Sequence, residues 1–120
     1  MRDSEAIARG KAKFEEVYPF KASENPTDFE ATMYGDLFGD IYQRPGLSMR
    51  DRRLMIIGVA AAHGIDSILR LQLSAGLAKG DLKREDMDEI TIFLTQYVGY
   101  PLGTRVRAAA TEALKANSGA

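Results

Sequence analysis

A chain of 120 residues, 45% hydrophobic and 28% charged, has the size and composition of one folded domain and not of a disordered segment. Sixteen basic against seventeen acidic side chains, a formal net charge of −1, leave no global footprint for nucleic acid or an anionic membrane. With no cysteine, disulfides, thiolate metal sites and thiol catalysis are excluded, and a single histidine is too few for an all-protein zinc site.

No basic–apolar–small-residue leader opens the sequence. The longest apolar run, Leu54 to Ala62, falls far short of the roughly 20 residues of a bilayer span. The expectation is a soluble cytoplasmic protein with no membrane partner.

Strand signatures are missing, and helical signals recur along the chain. A first helix is expected after Ser4, running to about Tyr18 with Ala6, Ile7, Phe14 and Val17 on its apolar face, and Pro19 ends it. Thr27-Asp28-Phe29-Glu30 has the spacing of a capping box. The helix after it should carry Phe29, Met33, Leu37, Phe38 and Ile41 on one broad face, and should stop before Arg44-Pro45-Gly46.

Ser48-x-x-Asp51 predicts the cap of a third helix. Its run Leu54–Ala62 is apolar all round, so it is either the central helix of a bundle or has a face covered by another subunit. Gly58, Ala60, Ala61 and Ala62 would let another helix approach closely. The cluster Arg50, Arg52 and Arg53, with Asp51 inside it, reads as a solvated helix start.

His63-Gly64 breaks the run. Asp66 is a candidate cap for a helix holding Ile68, Leu69, Leu71, Leu73 and Leu77, which stops at Lys79-Gly80. Asp81 to Glu85 should open the next helix, with Glu85, Asp86, Asp88 and Glu89 where the helix dipole favours negative charge. Met87, Ile90, Phe93, Leu94 and Tyr97 make its apolar face, and Gly99 ends it. Pro101 suits the first turn of a last helix reaching about Ala116, followed by an Asn117–Ala120 tail expected to be mobile.

Five features recur in a fixed order: the Tyr42-x-Arg44-Pro45-Gly46-Leu47 turn; the Arg50-Asp51-Arg52 helix opening; Leu71-x-Leu73-x3-Leu77-x2-Gly80; the acidic start at Glu85; and Tyr97-x-Gly99-x-Pro101. In that order and spacing, over roughly Tyr34 to Leu114, the chain resembles the carboxymuconolactone decarboxylase family of the alkyl hydroperoxidase D-like superfamily. The resemblance implies an all-α bundle of about six helices, assembled into trimers or hexamers. It implies one domain over 1–120, with 1–26 as an N-terminal extension and 27–116 as the core. It also implies a small-molecule enzyme that needs no cofactor and no metal. Relatives with peroxidase activity use a Cys-x-x-Cys motif, which this chain lacks.

Decarboxylation leaves a carbanion equivalent, so a site must neutralise carboxylate charge and deliver a proton. Asp40 lies where relatives often carry a glutamate, and it is a candidate general base. His63, at a helix C-terminus where a cation is favoured, is the other proton-transfer candidate or else a plain C-cap. Arg44 suits a planar carboxylate or else pins the turn, and Arg53 poses the same choice. Gln72 stands where the decarboxylases carry histidine; it can hydrogen-bond a substrate but cannot exchange a proton near pH 7. Tyr97 can donate a phenolic hydrogen bond or simply pack. These candidates favour acid/base chemistry on a carboxylate or lactone: decarboxylation, lactone hydrolysis or isomerisation. The alternative is a non-catalytic binding or assembly protein on the same scaffold.

Overall fold

A computed structural model describes residues 3–118. All regular structure among them is helical, with six α-helices and no strand, as expected. The chain divides into two compact units, residues 1–47 and 48–120.

The first unit holds α1 (Ser4–Val17) and α2 (Asp28–Thr32). Asp3, one residue before the expected start, caps α1 by accepting from the Ala6 N–H at 2.8 Å. The capping box of α2 is complete: Thr27 Oγ1 accepts from the Glu30 N–H at 3.2 Å, and Glu30 Oε1 accepts from the Thr27 N–H at 3.0 Å. Ser23 Oγ also donates to Glu30 at 2.6 Å, and this bond leads the interactions that hold its carboxyl below the ordinary value.

The long helix expected after Thr27 does not form as one α-helix. Beyond Thr32 the backbone widens into a π-turn over Met33–Phe38, then closes into a 3₁₀ turn over Ile41–Gln43. The extra residue in a π-turn rotates the register. Tyr34, Phe38 and Tyr42 are therefore buried, while Phe29, Leu37 and Ile41 stay exposed. Asp36 lies within the π-turn, and the chain leaves helical geometry at Asp40.

The buried aromatics form the centre of this unit. Phe14 meets Tyr18, Tyr34 and Phe38 at ring separations of 5.3, 5.5 and 5.4 Å, and Phe38 stacks on Tyr42 at 4.6 Å. Such pairs favour tilted and edge-to-face geometry because the ring face is negative and the edge positive. Gly10 permits the close approach: a Cβ there would lie 1.6 Å from the Tyr34 carbonyl oxygen.

The second unit holds α3 (Met49–His63), α4 (Asp66–Lys79), α5 (Asp86–Val98) and α6 (Tyr100–Ala116). Ser48 caps α3 by accepting from the Asp51 N–H at 3.0 Å, whereas Asp66 is the first residue of α4, and no side chain caps that helix. Gly64 and Gly80 end α3 and α4 in the left-handed conformation that spares glycine a Cβ clash. The core comprises Ile57, Ala60 and Ala61 of α3, Leu69 and Leu73 of α4, and Val106, Ala109 and Ala113 of α6, closed by Leu82 and Met87.

The apolar α3 is not enclosed on all sides within the chain. Met55 and Val59, one turn apart, are 55% and 59% exposed. Close helix approach occurs at Gly103, where a Cβ would lie 2.1 Å from Thr95 Oγ1, and not at Gly58, where the nearest atom to a Cβ would be Leu94 Cδ2 at 4.0 Å. On α5 the apolar set splits: Met87 is buried and Ile90 and Leu94 pack against the core, while Phe93 and Tyr97 face outward. Asn117, expected in a mobile tail, donates to Ser74 Oγ at 3.2 Å and to the Ala113 carbonyl at 2.9 Å; Gly119 and Ala120 lie outside the described residues. No helix is long and apolar enough to cross a membrane among the described residues.

Candidate functional site

The most distinctive polar feature of the second unit is a buried arginine. Arg53 sits one turn into α3 and is 1% exposed. Its Nη1 donates to Oε1 of Gln72 on α4 at 3.0 Å, and its Nη2 donates to Oδ2 of Asp81, just after α4, at 2.9 Å. Gln72 is itself only 3% exposed. The guanidinium thus ties α3, α4 and the α4–α5 turn together with divergent bonds that only its planar fork provides. Gly76 makes the room: a Cβ there would lie 2.9 Å from Arg53 Cδ and 2.5 Å from Leu82 Cδ1.

The reading of Arg50, Arg52 and Arg53 as a solvated helix start is corrected for Arg53, which is interior. Arg50 is also engaged: it forms a two-pronged pair with Asp86 at 2.7 and 3.2 Å and donates to the Asp81 carbonyl at 3.0 Å. The Arg50 bond, followed by a backbone N–H from Lys83, holds the Asp86 carboxyl below its ordinary value. A depressed carboxyl adds stability above its unfolded pKa of about 3.9 and loses it as pH falls through the folded value. Asp86→Asn should therefore cost under about 1 kcal/mol at pH 7, because the pair is partly exposed. Urea midpoints of the native and variant chains should converge as pH falls below about 4.

Asp81 and Asp86 are the participants that sequence reasoning missed. Asp81 was read only as the opening of a helix, and Asp86 as an acid that the helix dipole favours. The available signal was a pair of acids to match Arg50 and Arg53. Beside this cluster, a groove of about 320 Å³ runs between α3 and α5, walled by Leu54, Ile90, Phe93 and Leu94 with Arg50 and Asp86 at its rim.

Of the other candidates, His63 and Tyr97 share the second unit with Arg53 and Gln72. His63 is exposed in the last turn of α3, about 15 Å along the helix from Arg53 at 1.5 Å per residue. Arg105, not His63, bonds the Gly64 carbonyl beyond that helix end, at 3.1 Å. Tyr97 is 78% exposed and lies against Phe93 at a ring separation of 5.2 Å. In the first unit, Asp40 and Arg44 flank the 3₁₀ turn and are both exposed. Asp40 presents its carbonyl to the Gln43 N–H at 3.0 Å, and the Arg44 N–H donates to the Ile41 carbonyl at 3.2 Å.

Comparison with known proteins gives this arrangement a family. The chain is 28% identical to a 4-carboxymuconolactone decarboxylase of Acinetobacter baylyi over 88 residues, 73% of this chain. The match spans 65% of the length of that relative. The model of the carboxymuconolactone decarboxylase family matches residues 28–112, the last part of the first unit and most of the second. This chain belongs to the carboxymuconolactone decarboxylase family.

Proposed function

We propose that the chain is a small-molecule enzyme of the decarboxylase type, acting without a cofactor on a carboxylate or lactone derived from aromatic ring degradation. The family match over residues 28–112 carries this reading. The named activity of the Acinetobacter baylyi relative gives the first substrate to try, 4-carboxymuconolactone.

In such a reaction the bond to the carboxyl carbon breaks and carbon dioxide leaves. The electron pair stays on the lactone fragment and is quenched by a proton. Arg44 is the proposed carboxylate partner, because its guanidinium binds both oxygens in one plane. Asp40 and His63 are the proposed proton-transfer groups, both exposed and titratable. Tyr97 is a further proposed substrate contact. Arg53 and Gln72 hold one another in the interior, so a direct substrate contact from either would require that pairing to open. Lactone hydrolysis or isomerisation would use the same acid/base groups.

Self-association through α3 and α5 is part of the proposal. Met55, Val59, Phe93 and Tyr97 are exposed in the single chain, and a second copy would cover such apolar area. A trimer or hexamer and a cytoplasmic setting follow from the same reading. The non-catalytic alternative draws on Gln72, which offers hydrogen bonds but no proton at the position where the decarboxylases carry histidine.

Ultraviolet decay of 4-carboxymuconolactone tests the reading. The native chain should consume it, and Asp40→Asn or His63→Gln should lower kcat about 100-fold, the lower range for loss of a general acid or base. Saturable binding of the lactone with no decay would favour the binding protein.

A further inference from the structure

Arg53, Gln72 and Asp81 form a hydrogen-bonded cluster. One buried guanidinium faces one carboxylate and one neutral amide oxygen. Gln72 is enclosed, and its position is set by Arg53 from α3 and by the packing of α4. Arg53 bonds Gln72 directly and pairs with Asp81 after α4, while Arg50 pairs with Asp86 and bonds the Asp81 carbonyl. The Arg70–Glu112 pair, between α4 and α6, lies at the exposed surface.

We infer that position 72 is a positioning site that stays neutral: its side chain fixes the Arg53 guanidinium and neither gives nor takes a proton. A protonated group at 72 would put a second cation against a buried arginine, where water cannot screen the repulsion. A neutral acceptor satisfies the same donor at no such cost. Glutamine here is thus matched to Arg53. The consequence, which rests on the proposed reaction, is that the proton for the substrate comes from another side chain, so histidine at 72 alone would not supply one.

The test is an NMR titration of the full-length Gln72→His chain with carbon-13-labelled histidine. His63, the one native histidine, is exposed and serves as the internal reference. The introduced imidazole should titrate about one pH unit or more below His63, and should move back toward it when Arg53→Met is added. An introduced imidazole that titrates at or above His63, or that is low but unmoved by Arg53→Met, overturns the inference.

A thermal cycle with Gln72→Met and Arg53→Met gives a second readout that needs no imidazole to fit. The loss in the double variant should be smaller than the sum of the two single losses, because both substitutions remove the same Arg53–Gln72 bond. Strictly additive losses would sink the pairing. Neither readout involves lactone turnover, so failure here is separate from failure of the proposed reaction.

Discussion

Arg53→Ala is expected to destabilise the chain by about 3–4 kcal/mol, the range for breaking a buried charge pair by removing one partner. The substitution strips Gln72 Oε1 of a donor in a nearly closed interior and leaves Asp81 without its guanidinium. It also empties the space that Gly76 keeps open for the arginine stem. Arg53→Lys should recover only part of the loss, since one ammonium cannot direct two divergent bonds along a planar fork. Urea unfolding at pH 7 measures both. A loss under about 1 kcal/mol for Arg53→Ala would mean that the arginine behaves as a surface ion pair.

Gly10→Ala should be comparably damaging in the first unit. The added methyl would meet the Tyr34 backbone, with its carbonyl oxygen at 1.6 Å and carbonyl carbon at 2.4 Å, and backbone cannot rotate aside as a side chain can. Either α1 or the π-turn must shift, which pulls Phe14 from Tyr34 and Phe38. The expected cost is about 3 kcal/mol or more, at the upper end of overpacking effects. A matched control is Gly46→Ala, where a Cβ meets open space. That variant should be neutral or slightly stabilising through the unfolded chain. Thermal melts of the two variants should differ by roughly 10 °C, at about 4 °C per kcal/mol.

The sequence was most legible where local chemistry decides structure. The Thr27 capping box, the Ser48 cap, the glycine stops at Gly64 and Gly80 and the Pro101 helix start all follow from one or two residues acting on their own backbone. It was least legible where tertiary packing decides. Periodicity placed Phe29, Leu37, Phe38 and Ile41 inward; Phe38 is buried, but the π-turn adds a residue and brings Tyr34 and Tyr42 in while Phe29, Leu37 and Ile41 stay exposed. Nothing local in Met33–Phe38 announces that widening; the contact with α1 through Gly10 does.

The buried cluster shows the same division. Arg53 was singled out with a ligand role and a scaffold role open, and Gln72 separately as a hydrogen-bond partner for a substrate. Their mutual bond spans 19 residues, and helical periodicity is silent at that range. Asp81 went unnoticed as a partner because an acid near a helix start already has a local explanation. The exposed Met55 and Val59 were anticipated only as a choice, since a run apolar all round says that a face needs covering without saying by what.

Carbon dioxide release per 4-carboxymuconolactone consumed tests the functional claim most directly, using the purified chain with no added thiol, metal or nucleotide. The account predicts one carbon dioxide for each lactone lost, with the yield falling when Asp40 or His63 is neutralised. Lactone that persists unchanged beside the native protein would contradict it.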